Sequence, residues 1–161
     1  MGWASLSLRK MQLKQRINNY EQRLVNISQE LQTMYDSSSY SQQAAGVEQS
    51  QALANITAQY QNNVNGLSGQ MGNNTDSAAL AQYNTAIQQA QLSYTYNKMV
   101  TESMFNAKSQ AMQDQINQQE TQLELEQEQV ETQLEAARAE YESLDKAVSQ
   151  DIQSGAIKLT A

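Results

Sequence analysis

An all-α fold, a long antiparallel helical hairpin whose coiled-coil arms assemble with neighbouring copies, is what this 161-residue sequence predicts. Three observations carry that expectation. The chain has no Pro and only six Gly, of which Gly66, Gly69 and Gly72 fall close together. Apolar residues recur at alternating steps of three and four in two long stretches, the spacing of a helix–helix seam. Basic residues concentrate in the first stretch and acidic residues in the second, so folding one onto the other brings opposite charges together.

The first arm spans residues 3–64. Leu13, Ile17, Tyr20, Leu24, Ile27, Leu31 and Met34 follow one another at steps of 4-3-4-3-4-3. The run Asp36-Ser37-Ser38-Ser39-Tyr40-Ser41 and then Gly46 predict a break near 36–46, as kink or loop, because serine and aspartate side chains compete for backbone hydrogen bonds. Val47, Leu53, Ile56, Tyr60 and Val64 resume the helical spacing. Residues 65–76 predict the reversal: Gly and Asn are the residues that tolerate positive φ. Thr75, Asp76 or Ser77 supplies the N-cap of the second arm.

That second arm spans 77–153 without a Gly or Pro. Leu80, Tyr83, Ile87, Ala90 and Tyr94 keep the seam, the phase drifts through Met99, Met104, Phe105 and Met112, and a clean register returns. Leu123, Gln127, Val130, Leu134, Ala137, Tyr141, Leu144 and Val148 define it, with Gln127 the polar member. Gly155 predicts the end of the helix as its C′ residue, leaving a tail at 154–161. Residues 1–161 thus read as one elongated helical domain.

A quarter of the chain is amide, 27 Gln and 13 Asn, and 19 of the residues counted in its 39% hydrophobic content are Ala. This composition cannot fill a thick globular core, and a lone hairpin buries only one stripe per helix against a backbone ordering cost of about 1–2 kcal/mol per residue. Further helices from neighbouring copies are therefore expected. Trp3, Leu6 and Leu8, with Ile152, Ile157 and Leu159, are the apolar residues left at the open end and the candidates for contacts between subunits.

Charge gives the expected register. Residues 1–23 hold Arg9, Lys10, Lys14, Arg16 and Arg23 against the single acid Glu21, whereas residues 114–151 hold eleven acids against Arg138 and Lys146. A reversal near residue 70 sets Arg9 opposite about residue 132, and slippage at 36–46 moves it toward 145. The expected partners are Glu131, Glu135, Glu140, Glu142 and Asp145. Such pairs select orientation more than they stabilise.

Several chemistries are disfavoured. The chain has no His and no Cys, which removes Ser-His-Asp and Cys-His nucleophilic sites, disulfides and the usual soft metal ligands. Glu124 and Glu126 diverge on a helix, while Glu124 with Glu128, and Glu131 with Glu135, share a face that reads as solvated rather than as a metal site. The glycine stretch lacks the Lys-Ser/Thr of a phosphate loop. No catalytic, cofactor-binding or metal residues are expected, and no cofactor. Nucleic-acid binding is not expected of a chain of pI 4.5 whose one basic segment faces the acidic arm. No segment approaches the ~20 apolar residues of a membrane span, and charged residues interrupt the start, so a cleaved secretory signal is not expected. Gly2 is followed by Leu6 where a myristoylation pattern needs Ser or Thr.

With the seams at Leu13–Met34 and Leu123–Val148, the loop Asn65–Asn74 and no Cys, the chain resembles the helical-hairpin subunits of bacterial extracellular filaments, such as flagellin cores and type III secretion needles and filaments. The resemblance lies in architecture. It implies a homopolymer whose termini pack together, exported unfolded without a cleaved signal to an appendage outside the cell, with export machinery as a possible partner. The alternative reading of the seams is a coiled-coil adaptor, cytoplasmic or secreted, that takes up a partner helix in a small defined oligomer.

Overall fold

The computed structural model describes residues 2–160, with side chains as far as Gly155. It contains two helices, α1 (Trp3–Gly72) and α2 (Ser77–Thr160). No residue described forms a strand. The connection is residues 73–76. Asn74 N–H donates to the Met71 carbonyl (3.3 Å), and Asp76 N–H donates to Asn74 Oδ1 (3.0 Å). Asp76 is the N-cap of α2: its Oδ1 accepts from Ala78 N–H (3.1 Å) and its carbonyl accepts from Leu80 N–H (3.0 Å). A carboxylate here also faces the positive end of the helix dipole.

Three sequence expectations need correction. The helix runs unbroken through 36–46. Serine costs a helix only a few tenths of a kcal/mol in the absence of Pro, whereas stopping and restarting costs a new nucleus. Past this stretch Ser50 bonds back to the Gly46 carbonyl (3.0 Å) and Thr57 to that of Leu53 (2.9 Å), one way a helix accommodates a hydroxyl. The helix also continues through Gly66 and Gly69 to Gly72, and no described residue has positive φ. Leu67 and Met71 extend the seam as half-buried residues, which offsets the roughly 1 kcal/mol that each glycine costs. The reversal is therefore four residues rather than twelve. Gly155 does not end α2, which reaches Thr160 rather than 153.

Contacts divide the chain into two units: residues 1–35 with 117–161 (unit 1), and residues 36–116 (unit 2). Unit 1 holds the expected seams. Leu13, Ile27, Val130, Leu134 and Ala137 are buried, Ile27 completely. Ile17, Tyr20, Leu24, Leu31, Met34, Leu123, Gln127, Tyr141, Leu144 and Val148 are half-buried in the same register. Cross-helix pairs run antiparallel, from Arg9 with Glu140 to Tyr35 with Glu120.

In unit 2 the helices are also antiparallel, Gln42 meeting Gln113, Glu48 meeting Lys108, and Thr57 meeting Tyr94. Its seam is thinner. The half-buried positions of α1 include Ser38, Ala45, Gln49 and Ala52 before Ile56 and Tyr60, and those of α2 include Tyr94, Thr101, Phe105 and Met112. No described residue of this unit is fully buried. The Tyr60 and Tyr94 rings stack with centroids 4.6 Å apart and planes inclined by 23°. Val47, Met99 and Met104 fall outside the seam and are 57, 59 and 65% exposed.

Candidate functional site

The charged flanks of unit 1 are where the structure assembles chemistry. Arg9 Nη2 lies 2.5 Å from Glu140 Oε1. Lys10 pairs with Asp145 and stands 5.2 Å from the centroid of the Tyr141 ring. The bond to Asp145 raises the Lys10 pKa, with its charge and the Tyr141 hydroxyl adding to the shift against some desolvation. Lys10 occupies the seam register one step before Leu13, and a single polar residue at such a position fixes register at some cost in stability.

Arg23 bonds one acid on its own helix and one on α2. Its Nε donates to Glu126 Oε1 (2.6 Å) and its Nη1 to Glu30 Oε1 (2.8 Å). These bonds hold the guanidinium pKa above its ordinary value, and the same contact holds the Glu126 carboxyl below the usual carboxylate range. Arg138 reverses the polarity, donating to Glu21 Oε1 from Nη2 at 2.7 Å. Tyr35 donates its hydroxyl to Glu120, which raises the Tyr35 pKa.

The expected charge pairing is therefore met at Arg9, Lys10, Glu140 and Asp145 and not elsewhere. Arg23 chooses Glu126, outside the expected set. Among the described residues, Lys14, Arg16, Glu135 and Glu142 form no ion pair, and Glu131 instead accepts from the Gln127 amide (2.9 Å). Glu140, the partner of Arg9, falls between the expected positions of about 132 and 145, and the offset from 132 comes from a reversal at 73–76 instead of near 70. The antiparallel count from the true turn leads from Arg23 to Glu126, whereas the partners Glu21 and Glu120 lie several residues from the positions that count gives and had no such signal.

The terminal apolar candidates divide. Trp3, Leu8 and Ile152 are 61, 57 and 55% exposed, and Leu6 is half-buried. The side chains of Ile157 and Leu159 lie outside those described. Leu8 lines an open groove with Ser5, Arg9, Gln12, Leu13, Arg16 and Glu140.

These groups join the two helices of unit 1 through their charged flanks. Glu124 with Glu128 and Glu131 with Glu135 stay on the surface, and among the described residues no three carboxylates are placed to hold a metal ion. No described helix is long and apolar enough to cross a membrane. Compared with known protein families, curated proteins and solved structures, the chain matches none.

Proposed function

We propose that this chain is a structural subunit of a self-assembling helical filament or tube, without catalytic activity. One observation carries the reading. The chain exposes 11810 Å², whereas a compact monomer of its 18.0 kDa mass exposes about 8,000 Å². The surplus is several times the roughly 800 Å² that one partner contributes to a standard interface. Exposed Trp3, Leu8 and Ile152 are contacts for neighbouring copies. Surface amides, which carry no charge, let many such helices lie side by side without mutual repulsion. An extracellular, bacterial setting and export without a cleaved signal follow from the resemblance to secreted filament subunits.

Purified protein examined by negative-stain microscopy is expected to show regular fibres. Deleting residues 1–12 or 150–161 is expected to abolish them while circular dichroism stays helical. A strictly monomeric species by light scattering at high concentration overturns the reading. A second reading, a coiled-coil adaptor, draws support from the thin seam of unit 2, where no described residue is fully buried and a partner helix finds room. It predicts a small oligomer of fixed size and one specific partner.

A further inference from the structure

Both helices of unit 2 carry a second apolar stripe turned away from their shared seam. On α2, Leu92, Tyr96, Met99, Val100 and Met104 are 71, 62, 59, 40 and 65% exposed. Leu92 and Tyr96 sit two residues either side of half-buried Tyr94, and Met99 sits two before half-buried Thr101. Two residues turn a helical side chain by about 200°, so Leu92, Tyr96 and Met99 lie on the far side of α2, with Val100 and Met104 on its flank.

On α1 the same relation holds. Tyr40 and Val47, 76 and 57% exposed, lie two residues from the seam positions Ser38 and Ala45. Tyr40, Ala44, Val47, Gln51, Ala54 and Ala58 are all exposed and follow steps of 4-3-4-3-4, which is again seam spacing. Of the charged residues of these segments, Lys98 lies away from the α2 stripe, while Glu102, Lys108 and Glu48, three or four residues after Met99, Met104 and Ala44, border the stripes.

We infer that these stripes are the two halves of one contact between copies: the bulky stripe of α2 in one chain seats on the α1 stripe of the next. The inference rests on the self-assembly reading and names the surface that serves it. Three arguments identify a second copy as the occupant. Neither stripe is covered within the chain, whose surplus surface exceeds what a standard interface takes from one partner. The α1 stripe has the spacing of a helix seam, and on α2 Leu92, Tyr96, Val100 and Met104 recur every four residues, so each stripe presents one helical face to a helix of another copy. The stripes also complement each other in bulk, large residues on α2 against mostly small ones on α1, as interdigitated packing requires. Because the halves differ and sit on opposite outer faces of the unit, the contact is heterologous, the kind that adds copies head to tail.

The test uses the full chain with Met99→Glu in the α2 stripe or Val47→Glu in the α1 stripe, followed by sedimentation velocity and negative-stain microscopy. Each variant alone is expected to need at least about tenfold more protein to assemble. An equimolar mixture is expected to recover dimers, because each variant retains the half that the other lacks. Assembly of either variant as wild type, or a mixture no more associated than its components, overturns the inference. Circular dichroism checks helicity, and Tyr96→Gln with Val47→Gln carries the same test if a glutamate variant unfolds. Wild-type protein that never assembles removes both readings. Wild-type assembly indifferent to both substitutions removes this contact alone.

Discussion

Unit 1 and unit 2 use one helical spacing and fill it differently. In unit 1 the seam is mostly Leu, Ile, Val and Tyr, with Met34, Gln127 and Ala137, five residues are buried, and Arg9, Lys10, Arg23 and Arg138 cross to acids on the opposite helix. In unit 2 seam positions pass to Ser38, Ala45, Gln49 and Thr101, no described residue is fully buried, and Lys108–Glu48 is the ion pair. Periodicity alone therefore makes a helix pair, while bulk at the seam decides how strongly it is held. Unit 1 buries part of its seam while leaving Trp3, Leu8, Met11 and Ile152 exposed. Unit 2 turns Leu92, Tyr96, Met99 and Met104 outward, which weakens it alone and equips it for neighbours.

The sharpest way to break this comparison is truncation at matched seam positions. Ile27→Ala, at a completely buried site, is expected to cost about 2–5 kcal/mol in denaturant unfolding. Ile56→Ala, half-buried in unit 2, is expected to cost less than half as much. Equal losses would mean the two seams are held alike.

A smaller effect sharpens the description of unit 2. Gly69 is helical, its φ is not positive, and a Cβ added there meets nothing within 4 Å. Gly69→Ala should therefore stabilise by about 1 kcal/mol, the difference in helix propensity. Destabilisation instead would show that the chain turns at 65–72.

The smallest effect is electrostatic and belongs to unit 1. The folded-state pKa of Glu126 lies below its ordinary 4.5 because Arg23 bonds the carboxylate. Its contribution is thus present above that ordinary value and is lost as pH falls through the depressed one. Lys10 behaves oppositely: its pKa is raised above 10.5 by Asp145, so its contribution holds below that value and goes as pH rises through the raised one. Thermal melts should show Glu126→Gln flattening only the acid limb of wild-type stability. An unchanged acid limb would remove the Arg23 pair from the account.

Much of the fold was legible. The seam from Leu13 to Met34 and that from Leu123 to Val148 occupy the buried and half-buried register in unit 1, because large apolar residues at seam spacing have one low-energy arrangement. The misreadings cluster where single-residue preferences opposed a long helix. Four serines and three glycines predict breaks, yet each costs only up to about 1 kcal/mol, and Leu67 and Met71 carry the seam on past the glycines. The charge site was half legible. Opposite-sign arms were visible in the residue order, but the pairing of Arg23 with Glu126 depends on where the chain reverses, and that turned on Asp76 capping α2.

By itself the sequence determined that the chain is helical, which stripes are apolar, and that the basic segment has an acidic counterpart. Those properties follow from local spacing and composition, which any helix carries with it. Tertiary structure decided the four-residue reversal, the register that joins Arg9 to Glu140, and which of two stripes on each unit 2 helix faces its partner. Each of these is a competition between alternatives of similar local energy, and only packing one helix against another separates them.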